Sequence, residues 1–353
     1  MSYIDIANKK LEELRDKENL VVLGIESSCD ETSCAIMVGD KLISNIIATQ
    51  IDIHKRFGGV VPEIASRNHT LAIENVVKEA LDKANMTLDD IEVIGVTYGA
   101  GLLGALLVGV SYAKSLAYVT KKPLIAVNHI KGHIAANYIA CPDLTPPYIC
   151  LIASGGHSAI VKVEDYNKVE IIGSTVDDAC GEAFDKVARV LGLSYPGGVE
   201  VEKLAKNGKP CIDMPIPFKN EEHFNFSYSG LKTAVINYVH NKEQKGEAYS
   251  KEDLACSFQE RAIGMLVNNT MRAVDKYKIN TIVIAGGVGA NKLLRTKMSE
   301  EGEKRGIKVV YPPLVLCTDN AGMIASETRI LVKNGVKCSD IDLDANASVK
   351  IFD

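Results

Sequence analysis

Tryptophan is absent from this chain of 353 residues, aromatic residues make up 6% of it, and low-complexity sequence is scarce. CxxC spacing is missing as well: Cys29, Cys34, Cys141, Cys150, Cys180, Cys211, Cys256, Cys317 and Cys338 are scattered. That pattern excludes a zinc ribbon, and an odd, unclustered set reads as small, reduced thiols in a reducing compartment. A basic excess is also lacking. With 40 Lys and Arg against 45 Asp and Glu, the formal net charge is -5, which excludes a bulk positive field for nucleic acid while leaving room for a local basic patch and an RNA substrate. The start, MSYIDIANKKLEELRDKENL, has no apolar leader region, and its acids argue against a transit peptide. The 21 uncharged residues at 93–113 are broken by five glycines, so they read as a buried strand, a turn and a buried helix rather than a membrane span. These absences point to a cytosolic protein.

What is present has a repeated plan. VVLGIE, SSCDETS, CAIMVG and KLISNIIAT read as strand, polar turn, strand and strand; YICLIA, SGGHS, AIVKV and KVEIIGST repeat it. The duplication predicts two similar α/β lobes facing a cleft, divided near the Pro-containing segment 141–147. The expected organisation is an N-terminal helical extension over 1–20, in which Ile4, Ala7, Leu11 and Leu14 recur at helical spacing, and a first lobe over 21–145. A second lobe follows over 146–353 with a helical insertion at about 178–278, the C-terminal helix being free to cross back. Helices are expected at about 62–84, 102–119, 178–191, 199–207 and 251–277, with a last one from Asn320.

His129 and His133 stand four apart in a helical segment, which brings their Cβ atoms to about 5–6 Å on one face and suits two ligands of one metal. Two unrelated helix histidines would show the same spacing. Asp319 lies where a strand gives way to a helix, the place of a third ligand or of a plain N-cap. A zinc protease would carry HExxH with the glutamate as base, but the position after the first histidine is Ile130. Gly99–Gly104 fits GxGxxG, yet no acid follows about 20 residues on, so close helix–strand packing explains these glycines better than a dinucleotide. Glu26, Asp30 and Glu31 surround the Ser-rich turn of GIESSCDET, either as a functional cluster or as a solvated hairpin. In IASGGHS, Ser154, Gly155 and Gly156 offer backbone to a phosphate. Asn291 in GGVGANKLLR opens a helix, as its cap or as a nucleotide contact.

Together these segments resemble the actin, hexokinase and Hsp70 class (ASKHA) of duplicated, ribonuclease H-like folds. More closely, the chain resembles the TsaD family. GIESSCDET, FGGVVPEIASRNH, GLLGALLVG, VNHIKGH, ASGGHS, DDACGEAFDKVARVLGLSYPGG, FSYSGLKTA, GGVGANKLLR and CTDNAGMIA carry the likeness in order from residue 24 to about 325, with the SSCDET turn of the bacterial and organellar branch. The resemblance implies a metal-dependent acyltransferase that moves the threonylcarbamoyl group of threonylcarbamoyl-AMP onto N6 of the adenosine 3′ of a tRNA anticodon, releasing AMP. It implies a metal on His129, His133 and Asp319, iron(II) or alternatively zinc. Nucleotide contacts are implied at Ile152, Ala153, Ser154, Gly155, Gly156, Asp185, Gly198 and Asn291, with Glu182 added at the ribose. Asp30 and Glu31 match acids tied to the chemistry. The implied partners are tRNA, TsaB and TsaE, with a TsaC-type synthase supplying the adenylate and no membrane involved. Ala100 and Val199 stand where the family commonly has proline, which softens two turns and removes no expected ligand. The remaining alternative is an ATPase or small-molecule kinase of the same fold.

Overall fold

The computed structural model describes residues 2–166, 168–219 and 221–350. The chain forms two units, residues 1–144 with 312–353 and residues 145–311. The first contains α1 (Tyr3–Leu14), β1 (Val21–Glu26), β2 (Glu31–Val38), β3 (Lys41–Thr49), α2 (Ile51–His54), α3 (Pro62–Ala84), β4 (Val93–Gly99), α4 (Leu103–Thr120), β5 (Leu124–Asn128) and α5 (His129–Ala140). The second contains β6 (Tyr148–Ala153), β7 (Ser158–Asp165), β8 (Lys168–Ser174), α6 (Cys180–Val190), α7 (Gly197–Ala205), α8 (Ser229–Gln244), α9 (Lys251–Tyr277), β9 (Thr281–Ala285), α10 (Lys292–Arg305) and β10 (Lys308–Val310). Helix α11 (Ala321–Lys333) then returns to the first unit.

Each unit holds a five-stranded mixed sheet, ordered β3-β2-β1-β4-β5 in one and β10-β9-β6-β7-β8 in the other. In both, an antiparallel meander is extended from its first strand by two parallel strands, so the repeated sequence pattern becomes one topology built twice. The central strands β1 and β6 are buried almost throughout. Helices cover both faces of such strands, which is why they read as unbroken apolar runs rather than alternating ones. In the second unit, Phe184 of α6 meets Phe258 of α9 edge to face with ring centroids 5.0 Å apart, a geometry worth about 0.5–1.5 kcal/mol beyond burial.

Two expectations need correcting. The second lobe does not run to residue 353, and the crossing back that the sequence left open does occur: α11 packs on the first sheet, where the missing side chains of Gly24 and Gly95 let it approach. A Cβ on Gly24 would lie 2.5 Å from the Ala321 carbonyl, and one on Gly95 would lie 1.8 Å from Thr328 Oγ1. The following segment is tied to strand ends by Ser339 N–H to Leu124 O (2.8 Å) and Asn346 N–H to Tyr98 O (2.7 Å). Helix α4 is not the buried helix its composition suggested. Its small residues Ala105, Gly109, Ala113 and Ala117 face inward, while Leu103, Leu107, Tyr118 and Val119 are exposed. Among the described residues it is the one helix long and apolar enough to cross a membrane, and about a third of it is buried.

Candidate functional site

The histidine pair sits at the start of α5, held by its cap. Asn128 accepts from the N–H groups of Ile130 (2.9 Å) and Lys131 (3.4 Å) and donates to the Lys350 carbonyl (2.9 Å). That fixes the first turn of the helix, and the four-residue spacing sets the two rings edge to face with centroids 4.6 Å apart. Asp319 lies two residues ahead of α11 and is not its cap. Asn320 takes that role, accepting from Met323 N–H at 3.1 Å. Asp319 is thereby left to meet both imidazoles, with Oδ1 3.4 Å from His129 Nε2 and 3.1 Å from His133 Nε2. One donor atom from each of the three residues lies within 4.8 Å of the others. Ligands at about 2.0–2.2 Å from a tetrahedral ion stand roughly 3–3.5 Å apart, so this donor set fits a divalent metal with only small adjustment.

Behind His129 stands one of the three acids of the Ser-rich turn, at a place that only the folded chain reveals. Glu26, fully buried at the end of β1, approaches His129 Nδ1 with Oε2 at 3.1 Å. It accepts from Thr97 Oγ1 at 2.6 Å through the same oxygen and from Ser28 N–H at 2.5 Å through Oε1. Ser28 Oγ lies 3.0 Å from the same histidine nitrogen. Burial works against the charged forms here, but the carboxylates outweigh it at His129, which is pushed up to about 9 by Asp319 and Glu26. Burial likewise raises Asp319 and Glu26, and the His129 charge outweighs it in both. Asp319, also hydrogen-bonded by His133, falls to about 2, and Glu26 is held below its ordinary range.

Asp30 ends the β1–β2 turn and Glu31 opens β2 in the same unit. Burial, then the charges of Asp30 and Asp319 and a hydrogen bond with Asp30, push Glu31 up to about 10; Thr49 Oγ1, donating at 3.1 Å, opposes this weakly. His69 of α3 braces the turn from beneath. Its Nε2 reaches the Cys29 carbonyl at 2.9 Å and its Nδ1 reaches Thr32 Oγ1 at 2.7 Å, which requires the Nε2–H tautomer because a carbonyl can only accept. Desolvation keeps this imidazole below its usual pKa. The glycines of 99–104 pack closely, though against a turn and the C-terminal segment rather than between a helix and a strand: a Cβ on Gly101 would fall 2.6 Å from the Ser28 carbonyl, and one on Gly99 would fall 2.1 Å from Asn346 O.

The second unit gathers the other expected residues around the ends of β6 and β9. Ile152 and Ala153 close β6, and Ser154, Gly155 and Gly156 turn into β7. Ser154 N–H donates to His157 O at 2.8 Å, and Ser154 Oγ accepts from His157 N–H at 3.1 Å. A Cβ on Gly155 or Gly156 would meet nothing within 4 Å, so their backbone is open to a ligand. The glycines that packing demands are Gly181, whose Cβ would lie 2.7 Å from Ser154 O, and Gly286 at φ +90°, whose Cβ would lie 2.5 Å from Ala153 O. Asp185 of α6 accepts from Gly197 N–H at 2.7 Å, beside Gly198 in the first turn of α7. Glu182 pairs with Lys186 at 2.8 Å and points to the surface. Asn291 caps α10 by accepting from Leu294 N–H (3.0 Å) and donates to Gln259 Oε1 (3.1 Å).

Comparison with known proteins adds identity to this geometry. A family model for TsaD, tRNA N6-adenosine threonylcarbamoyltransferase, matches residues 41–326. A protein of that name from Clostridium botulinum strain 657 is 52% identical over 95% of this chain and 99% of its own length. Another, from Clostridium perfringens strain SM101, is 53% identical over 94% of this chain and 98% of its own. Among solved structures, full-length HypF in its phosphate- and nucleotide-bound form superposes over 90% of this chain and 47% of the longer HypF chain, with a TM-score of 0.60 and 17% identity. That likeness shows the fold, a duplicated α/β architecture.

Proposed function

The chain belongs to the TsaD family of tRNA N6-adenosine threonylcarbamoyltransferases, and on that premise we propose that it acylates N6 of the adenosine 3′ of the anticodon. The tRNAs concerned read codons that begin with adenine, the donor is threonylcarbamoyl-AMP, and AMP is released. In this transfer the N6–C bond forms, the C–O bond of the mixed anhydride breaks, AMP leaves with the electron pair, and N6 gives up one proton. The convergence of His129, His133 and Asp319 carries the reading. They would hold iron(II), or alternatively zinc, which when bound supplies Lewis-acid polarisation of the carbamoyl carbonyl.

N6 of adenine is a weak nucleophile, so orientation and electrophile activation matter more than a strong base. Burial and the charges of Asp30 and Asp319 push Glu31 up to about 10, and it is proposed to act as one hydrogen-bonded pair with Asp30. Asp30 and Glu31 together are proposed to orient the substrate and receive the N6 proton. The open backbone at Ser154–Gly156, with Ile152, Ala153, Asp185, Gly198 and Asn291, is proposed to bind the adenylate, with Glu182 at the ribose. TsaB and TsaE are the proposed partners in the cytoplasm, and a TsaC-type synthase would supply the donor.

The test mixes the full chain, its partners, threonylcarbamoyl-AMP and unmodified tRNA, and weighs the nucleosides by mass spectrometry. His129→Ala is expected to abolish both product and metal retention. A variant that stays metal-loaded and active would overturn the metal reading. Phosphoryl transfer to a small molecule without tRNA modification would overturn the transferase reading.

A further inference from the structure

Glu26 is a charged side chain with no exposure, and burying a carboxylate is costly unless each oxygen is hydrogen-bonded. Both oxygens are so occupied. Ser28 N–H can only donate, and it holds Oε1 at 2.5 Å. Thr97 Oγ1 holds Oε2 at 2.6 Å, and that same oxygen faces His129 Nδ1 at 3.1 Å. The carboxylate is therefore clamped by the turn that follows its own strand and by the neighbouring strand β4 before the histidine is counted, and Oε2 is aimed at one ring nitrogen. An acceptor fixed at Nδ1 requires the proton there. The Nε2 lone pair is then turned toward His133 and Asp319, where Asp319 Oδ1 lies 3.4 Å away.

We propose that Glu26 is a positioning residue for His129, holding the ring in the Nδ1–H form and in the orientation that presents Nε2 to a divalent metal. This rests on the metal-centre reading above. The clamp explains why the side chain is a glutamate and not an amide. In Glu26→Gln, an amide NH2 directed at Nδ1 would make that nitrogen an acceptor and place the proton on Nε2. Directed instead at Ser28 N–H, it would set two donors against each other across 2.5 Å. Either orientation of the amide loses something. Ser28 Oγ, 3.0 Å from Nδ1, is a second acceptor whose hydroxyl can rotate, so it supports the ring without dictating its tautomer.

The experiment measures Zn(II) affinity of the full chain by chelator competition, with far-UV circular dichroism as the check on folding. Loss of a carboxylate that orients a metal-bound histidine typically weakens metal binding by about 10–100-fold. Glu26→Gln is expected to show that loss with an unchanged spectrum, and Ser28→Ala a smaller one. If Glu26→Gln does not fold, Thr97→Val, which removes one arm of the clamp, is expected to weaken binding several-fold. In ¹⁵N–¹H spectra of the Zn(II)-loaded protein, the His129 Nδ1 proton is expected to lie downfield and exchange slowly in wild type and to lose both features in Glu26→Gln, a signature that a merely structural role for Glu26 would not require. Affinity in folded Glu26→Gln within twofold of wild type, or a proton on Nε2 in the wild type, overturns the proposal. A wild type that binds no Zn(II) at these residues sinks the metal reading and this inference together, a result distinct from either of the other two.

Discussion

At the scale of single residues, Glu327 shows how burial alone can make stability depend on pH. It sits on the inner side of α11, and desolvation pushes its carboxyl up to about 7 while Lys131 pulls weakly the other way. A carboxyl whose pKa is raised in the folded state binds more protons there than in the unfolded chain. Its contribution is therefore fully present below pH 4.5 and is lost as pH rises through 7. The rise from 4.5 to about 7 corresponds to roughly 3 kcal/mol. Glu327→Gln removes the titration. Its urea midpoint should lie near that of wild type at pH 5 and clearly above it at pH 8. A gap that is the same at both values would contradict this account. Residues also differ in how legible they were from sequence. His129 and His133 could be paired because helical geometry fixes what four-residue spacing means. Glu26 could not be joined to them, because its place beside His129 depends on the pairing of β1 with β4 and of β4 with β5, and no local pattern encodes strand register between distant segments. Asp319 was ambiguous between cap and ligand until the cap was seen to be Asn320.

Elements raise a different question, that of how closely two of them can approach. Helix α11 begins two residues after Asp319 and lies on the first sheet against Gly24, where a Cβ would fall 2.5 Å from Ala321 O and 2.8 Å from Ala325 N. Both are backbone atoms and cannot rotate away. Gly24→Ala must therefore lift the helix, and overpacking of this kind costs about 1–3 kcal/mol. Because the displaced end carries Asp319, Zn(II) retention should fall with stability. Gly264, in the middle of α9, has nothing within 4 Å of the same added carbon. There Gly264→Ala should be neutral or stabilising by up to about 1 kcal/mol. Urea denaturation of the two variants side by side checks the contrast, and equal effects would refute it. The helices at 62–84 and 251–277 were legible to the residue, since each carries its own periodicity and end signals. The outward face of α4 was not legible, because leucines and alanines count alike in an apolar run and only packing shows that the alanines and Gly109 went inside with Leu106 and Val110.

For the whole molecule, the decisive feature is that one unit is continuous in sequence and the other is not. Residues 145–311 form their unit without a break, whereas the unit with His129, His133 and Asp319 needs both 1–144 and 312–353. The duplicated meander made two lobes visible in the sequence and left the C-terminal helix free to cross back, but nothing in its composition says which sheet it covers. Loop closure costs entropy that grows only slowly with the length inserted, so interrupting the first unit with the whole second one is thermodynamically tolerable. Covering the first sheet is another matter. Without 312–353, the face of β1 and β4 at Gly24 and Gly95 loses the helix that fills it, and Met323, Ile324 and Ala325 leave the core. The fragment 145–311 should therefore show a cooperative urea transition by circular dichroism, and the fragment 1–144 should show none. Joining 1–144 to 312–353 through a flexible Gly/Ser linker should restore a cooperative transition. On the metal reading it should also restore Zn(II) binding, since every proposed ligand and Glu26 lie in those two pieces. A cooperative fold in 1–144 alone would show that α11 is an accessory to this unit rather than part of its core.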